Sequence, residues 1–325
     1  SVTSTSVPYS GATAAVNLGA YDMKVNGITV GKGLANLGLA VGVGTLKSIT
    51  TGFSNVAIGN NSMENTTTGD RNVAVGDGTL NANTTGVYNT AIGTDAMRAN
   101  TNGARNTSVG MSTLSANTLG NNNSTLGFYA LKDNTTGSDN TAIGTDAMRA
   151  NTTGSFNTAT GYLSLSSNTT GEFNTAYGSY SMEKNTTGSE NIAFGGEAFR
   201  NNTTGSFNVA VGTGTLGSNT TGGENTAIGR RAMNDNLTGT FNTAIGQAAL
   251  YANKTGSNNT AMGRTSLVYN TEGESNTAIG ATSITNNTTG SNNTGIGYNV
   301  LGANTTGGSN TAIGYNAGNT LTTGS

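Results

Sequence analysis

Asn140-Thr-Ala-Ile-Gly144, Thr145-Asp-Ala-Met-Arg149 and Ala150-Asn-Thr-Thr-Gly154, closed by Ser155-Phe156, make up one copy of a seventeen-residue unit. The unit runs in unbroken phase from Gly38 to Ser325, as sixteen full copies and a seventeenth that lacks only its last residue. Self-similarity at a fixed period marks a repeat architecture, in which each unit buries its apolar face against its neighbours. Numbering the positions of each copy as slots 1 to 17, slot 1 is Asn in every copy but the first, slot 3 is nearly always Ala, and slot 4 is Ile, Val, Leu, Met or aromatic apart from Thr160. Slot 5 and slot 15 are Gly in all seventeen copies, slot 8 is small, slot 9 is large and apolar up to Gly318, and slot 12 is Asn in fourteen copies.

The pattern predicts an all-β chain: a parallel β-solenoid, or β-roll, of seventeen 17-residue coils. A Gly, Asn or Thr every few residues disfavours helix. Slots 1–4 and 7–10 read as two short strands, in which period-two alternation sets slots 2 and 4 against slot 3, and slots 7 and 9 against slot 8. On this reading Ile58, Ile92, Ile143, Ile228 and Ile245 at slot 4, with Met63, Met97, Met148, Met233 and Leu250 at slot 9, form the core. Small residues at slots 3 and 8 then face outward as a close-packing stripe against another subunit. The alternative weighed beside it turns slots 3 and 8 inward, as an Ala/Ser-packed single-chain core. The slot-5 glycines, among them Gly59, Gly76, Gly93, Gly144, Gly212, Gly246, Gly280 and Gly314, together with Gly154 at slot 15, read as turn glycines. Asn55, Asn72, Asn89, Asn140 and Asn242 at slot 1, and Asn151, Asn168 and Asn185 at slot 12, read as rungs of amide ladders between coils.

Outside the array, residues 1–37 read as a lead-in and capping β element, and 38–325 as the solenoid. Tyr21–Val30 alternates loosely and breaks at Asn26-Gly27, a hairpin signal. Terminal units of such arrays are usually atypical caps. Ser1–Ser10 carries neither the basic nor the apolar region of a signal peptide, and no apolar run approaches the ~20 residues of a membrane span. Composition narrows function further. With 50 Gly and one Pro, only 9% charged residues and a net charge of −2, there is no basic footprint for nucleic acid. No Cys and no His removes disulfides, thiolate chemistry and the commonest general base and metal ligand. No catalytic constellation, metal set or cofactor motif emerges, so the expectation is a protein that is not an enzyme.

Asn55-Val-Ala-Ile-Gly59, Asn72-Val-Ala-Val-Gly76 and Asn208-Val-Ala-Val-Gly212 resemble the Ser-Val-Ala-Ile-Gly core of head repeats in YadA-like trimeric autotransporter adhesins. The resemblance covers about 38–325 and implies a left-handed parallel β-roll that trimerises. The chain departs from that family in its longer period, with the excess in the Asn-Thr-Thr-Gly turn, and in having no coiled-coil stalk or membrane-anchor barrel. Val7-Pro-Tyr-Ser-Gly-Ala-Thr13, Val16-Asn-Leu-Gly-Ala-Tyr21 and Val25-Asn-Gly-Ile-Thr-Val30 are similar to lead-ins of bacteriophage tail-fibre proteins. Together these imply a homotrimeric rod, extracellular or on a virion surface, that attaches to a cell-surface glycan or protein receptor without inserting in a membrane.

Two surface features carry alternative readings. Asn-Thr-Thr in most copies matches the N-glycosylation pattern, against a plain turn requirement. Phe156, Phe173, Phe207 and Phe241 share slot 17, either as a stacked edge ladder or as a receptor-contact strip. The acidic residues fall at variable slots and form no repeated ladder. Asn89–Asn100 and Asn140–Asn151 are identical strings three periods apart, so units have been copied and rod length matters more than any one coil. The function expected is a structural fibre or adhesin shaft, foremost a phage tail fibre. The alternatives are a self-assembling extracellular filament without a receptor and, further off, an ice-binding solenoid.

Overall fold

A computed structural model describes residues 38–324 throughout, with the backbone of two further strands, β1 (Met23–Val25) and β2 (Ile28–Lys32). The lead-in 1–20 and the Asn26-Gly27 dipeptide lie outside the described residues. Strands β1 and β2 pair antiparallel, with Val25 opposite Ile28. Strand β2 then pairs antiparallel with β3 (Leu39–Val41), Gly31 opposite Ala40. From β3 onward each coil adds one three-residue strand, from β4 (Val56–Ile58) to β19 (Thr311–Ile313). Each pairs in parallel with its equivalent one coil on, as Thr141, Ala142 and Ile143 do with Thr158, Ala159 and Thr160. The described chain is thus an all-β parallel solenoid of seventeen-residue coils, roughly 80 Å long at the ~4.8 Å spacing of paired strands.

The strand occupies slots 2–4, where Thr, Val and Ile suit a pleated surface. It ends at slot 5, where Gly144 has φ 131. A Cβ there would lie 2.6 Å from the carbonyl oxygen of Gly161 in the next coil. The slot-15 glycine has a different cause. A Cβ on Gly154 would meet Asn151 Oδ1 at 2.6 Å and Asn168 Nδ2 at 2.9 Å, so slot 15 is Gly because backbone and amide ladder approach too closely for any side chain.

The second strand expected at slots 7–10 is replaced by a run of turns. Slots 7 and 9 are left-handed, as at Asp146 (φ 55) and Met148 (φ 50). Hydrogen bonding between coils continues regardless: Asp146 N–H donates to Phe128 O of the preceding coil at 2.9 Å, and Met148 N–H to Ser164 O of the following one at 3.0 Å. Period-two alternation holds only for extended backbone. The left-handed residues on either side of slot 8 break it, and slots 8 and 9 both turn inward: Ala147 and Met148 are each fully buried.

The same change corrects the expected core. Met63, Met97, Met148, Met233 and Leu250 at slot 9 are completely buried. Ile58, Ile92, Ile143, Ile228 and Ile245 are not core residues. Ile143 is 40% exposed while Ala142 beside it is 0% exposed, so slot 3 faces in and slots 2 and 4 face out. The reason is width. The roll is narrow, and the one large side chain at slot 9 fills the space behind the strand, leaving room at slot 3 for a methyl group. Gly295 marks the limit. There slot 3 has lost even its methyl, and an added Cβ would sit 2.8 Å from Ile284 Cγ1 and 2.9 Å from Ser283 Oγ. Ile284 is also a β-branched residue held at φ 48, a genuine outlier. Gly295→Ala is therefore expected to cost about 1–3 kcal/mol by overpacking. Most of that should return in the Ile284→Leu background, since Leu250 and Leu267 at slot 9 accept Ala261 and Ala278. Denaturation of both single variants and the double variant measures the coupling; additive effects would show that the pair does not share its space.

The asparagines stack in two buried ladders. At slot 1, the backbone N–H of Asn157 donates to Asn140 Oδ1 at 3.0 Å, and Asn157 Nδ2 donates to the same oxygen at 3.2 Å. At slot 12, Asn151 Nδ2 donates to Asn134 Oδ1 at 2.8 Å. The ladders meet at slot 15, where the Gly154 carbonyl accepts from Asn140 Nδ2 and Asn151 Nδ2, both at 2.9 Å. Polar amides inside a narrow roll are stable because each finds partners one coil away, and an unpaired buried amide would be costly.

Candidate functional site

Slots 2 and 4 point out of one wall of the roll as two parallel columns. Slot 4 holds sixteen apolar residues in seventeen copies, and neither column contains a charge from Leu39 to Ile313. Slot 2 is Thr, Ser, Val, Leu or Ile throughout. The wall is a sheet of parallel strands in register, so it presents one uninterrupted apolar and hydroxyl surface. Ile92, Ile143, Ile228, Ile279 and Ile313 are among its exposed side chains. Tyr177 and Phe194, which share slot 4 with the isoleucines, stand on this wall as a stacked pair with ring centroids 4.7 Å apart, while Phe199 at slot 9 is fully buried.

The slot-17 phenylalanines border this wall. Phe156 and Phe173 stack at 4.8 Å. Phe207 and Phe241 are exposed but separated from the others by Glu190 and Glu224 in the same slot, so the four do not form one continuous ladder. A shallow hollow of about 390 Å³ lies between Phe173, Thr175, Glu190 and Ile192, where slot 17 meets slot 2.

Past the corner glycine, slots 7 and 10 line a second, charged wall. Arg200 Nε meets Glu183 Oε2 at 2.7 Å, and Arg98 and Arg149 pair with Asp95 and Asp146 at 3.6 Å. The hydrogen bond that Arg200 donates to the Glu183 carboxylate raises the guanidinium above its ordinary pKa, against the opposing pull of burial. Burial pushes the Asp235 carboxyl up, with nearby Lys254 pulling the other way. The Arg200–Glu183, Arg98–Asp95 and Arg149–Asp146 pairs are partly exposed surface pairs, of the kind that contribute little to stability. Among the described residues no group of three or more His, Cys, Asp or Glu side chains could hold a metal ion, and no helix is long and apolar enough to cross a membrane.

The Asn-Thr-Thr turns resolve on burial. Asn134, Asn151 and Asn185 are all fully buried, with Nδ2 engaged in the slot-12 ladder. At slot 12 the folded coil therefore offers no free amide to a glycosyl donor, whereas Asn65, in Asn65-Thr66-Thr67 at slot 11, is exposed. The turn wants Asn for the ladder and Gly for the close approach. The outer wall was hidden from sequence reasoning because interior slots and this exposed wall are equally free of charge. The chain matches no known protein family, no curated protein and no solved structure.

Proposed function

We infer that the chain is a structural fibre: a β-solenoid shaft whose copies associate side by side through the slot-2 and slot-4 wall, as a homotrimer of parallel rods, to carry attachment to a cell surface. The observation that supports this is the charge-free outer wall, apolar at slot 4 in sixteen of seventeen coils. Large exposed apolar patches mark interaction surfaces. A face roughly 80 Å long and about 10 Å wide offers on the order of 800 Å² per rod, the area one partner contributes to a stable interface. A partner that covers such a stripe must repeat at the coil spacing along its whole length, and a second copy of this chain does so. The resemblance of the Asn-Val-Ala-Ile-Gly strands to trimeric adhesin heads, and of the lead-in to tail-fibre proteins, supports three copies and a place outside the cell or on a virion.

The test is mass in solution. The purified chain is expected to sediment as a trimer. Ile143→Asp with Ile228→Asp, on side chains already exposed, should leave the circular dichroism unchanged and release single chains. A wild-type chain that stays a folded monomer overturns the reading, and thermal hysteresis from that monomer would favour an ice-binding surface instead.

A further inference from the structure

On the charged wall, the coil of Ser112 and Ser115 lacks a charged rung. Slots 7, 10 and 11 hold Asp95, Arg98 and Ala99 in one coil and Tyr129, Lys132 and Asp133 two coils on, but Ser112, Ser115 and Ala116 between them. The small side chains leave a notch of about 380 Å³, lined by Asp95, Arg98, Tyr129, Lys132 and Asp133 with the two serines at its floor. Its flanking rungs are ~10 Å apart, twice the strand spacing. In another coil with small residues at these slots, Gly214, Gly217 and Ser218, Asn234 reaches over them and donates to Gly214 O at 2.7 Å. The notch therefore depends on what the neighbouring coils place around the small residues.

We propose that this notch binds a neutral sugar ring. Its volume sits at the low end of ligand pockets, roughly 300–1,000 Å³. Its formal charges cancel, two carboxylates against one guanidinium and one ammonium, so it favours no net charge in the ligand. It offers both donors and acceptors to a ring of hydroxyls, and the partly exposed edge of Tyr129, whose ring packs against Phe128 at 3.8 Å between centroids and beneath Arg149 at 5.5 Å. Among the described residues Lys132 and Asp133 enter no ion pair, and the Asp95–Arg98 pair is solvent-exposed at 3.6 Å, so these groups keep donors and acceptors open to a ligand. Lys132 Nζ lies 4.7 Å from the centre of the Tyr129 ring, which places cation and ring together on one side of the notch. The wall lies past the corner glycine from the slot-2 and slot-4 face, so association of rods leaves it open. The inference rests on the attachment reading and gives that attachment a chemical class. Repeated on each rod of an oligomer, weak single sites would gain through avidity.

Saturation-transfer NMR of the full chain with the methyl glycosides of glucose, galactose, mannose and N-acetylglucosamine tests it. At least one glycoside is expected to bind, and Ser115→Arg is expected to weaken it by about tenfold or more, roughly the loss of a single good contact. Arginine at this slot is native in the coils of Arg98 and Arg149, so the variant fills the notch without disturbing the fold. Tyr129→Ala should weaken the same glycoside. No binding by the wild type, or unchanged binding by Ser115→Arg, overturns the proposal. Mass and cell adsorption measured on the same samples separate the two readings: trimeric rods that adsorb to cells without binding any glycoside refute the notch alone, whereas a monomer that fails to adsorb refutes the fibre.

Discussion

Gly144→Ala is expected to cost about 3 kcal/mol or more and to sever the rod at one coil. Two costs add. The residue sits at φ 131, outside the left-handed region that a side chain tolerates. Its new Cβ would also stand 2.6 Å from Gly161 O, and that oxygen belongs to a backbone that cannot yield. Gly144 N–H donates to Leu126 O and Gly161 N–H to Ile143 O, both at 2.8 Å, so both glycines are pinned to the coil before. Gly214→Ala is the control. Its φ of 64 lies where slot 7 already carries Asp, Tyr and Leu, and its Cβ would approach nothing closer than 3.6 Å. It should change stability by about 1 kcal/mol or less. Denaturation gives the magnitudes. Hydrogen exchange gives the location, because a solenoid holds each coil only through its neighbours and protection should fall first on both sides of residue 144. Equal effects from the two variants would mean that slot 5 is glycine for some reason other than its backbone.

Asn140→Asp is expected to destabilise the fold by about 3 kcal/mol or more at neutral pH and to regain much of that in acid. The side chain is fully buried. Its Nδ2 donates to Gly154 O, and its Oδ1 accepts two bonds from Asn157. A carboxylate keeps the second role but sets a negative oxygen against the Gly154 carbonyl, in a place without a cation. Burial disfavours the charged form, so the folded-state pKa rises above the ordinary carboxylate value of about 3.9. A group raised in this way leaves the fold most stable below its unfolded pKa and loses that stability as pH rises through the folded pKa. The variant should therefore approach the wild type below about pH 4 and fall away above it, while Asn140→Ala, which also orphans the Asn157 N–H, should lose about 2–4 kcal/mol at every pH. Thermal denaturation across pH decides this; a pH-independent loss for Asn140→Asp would mean that water reaches the ladder.

Both predictions use residues whose importance the repeat already signals. Gly at slot 5 and Asn at slots 1 and 12 are held through nearly every coil, and stacking in register turns any invariant slot into a column. The missing-rung notch was legible only in part. Ser112, Ser115 and Ala116 are visibly small in the sequence, but so are Gly214, Gly217 and Ser218. What separates them is Asn234 reaching back one coil, and that is a tertiary contact. The slot-17 phenylalanines were likewise visible as a column, yet Glu190 and Glu224 interrupt it, and only Phe156 and Phe173 stack.

The sequence by itself determined the period, the parallel stacking in register, and the columns of Gly and Asn, because each follows from phase alone: a residue that returns every seventeen positions must meet itself in the next coil. The tertiary structure decided which columns face inward. Residue size points the wrong way at the strand, since one large side chain at slot 9 fills the narrow roll and leaves slot 3 only a methyl group, sending Ile143 outward and Ala142 inward. Nor does composition disclose the left-handed backbone at slots 7 and 9. Asp, Tyr, Leu and Met adopt it there because hydrogen bonds to the coils on either side hold them in it, and that constraint exists only once the coils are stacked.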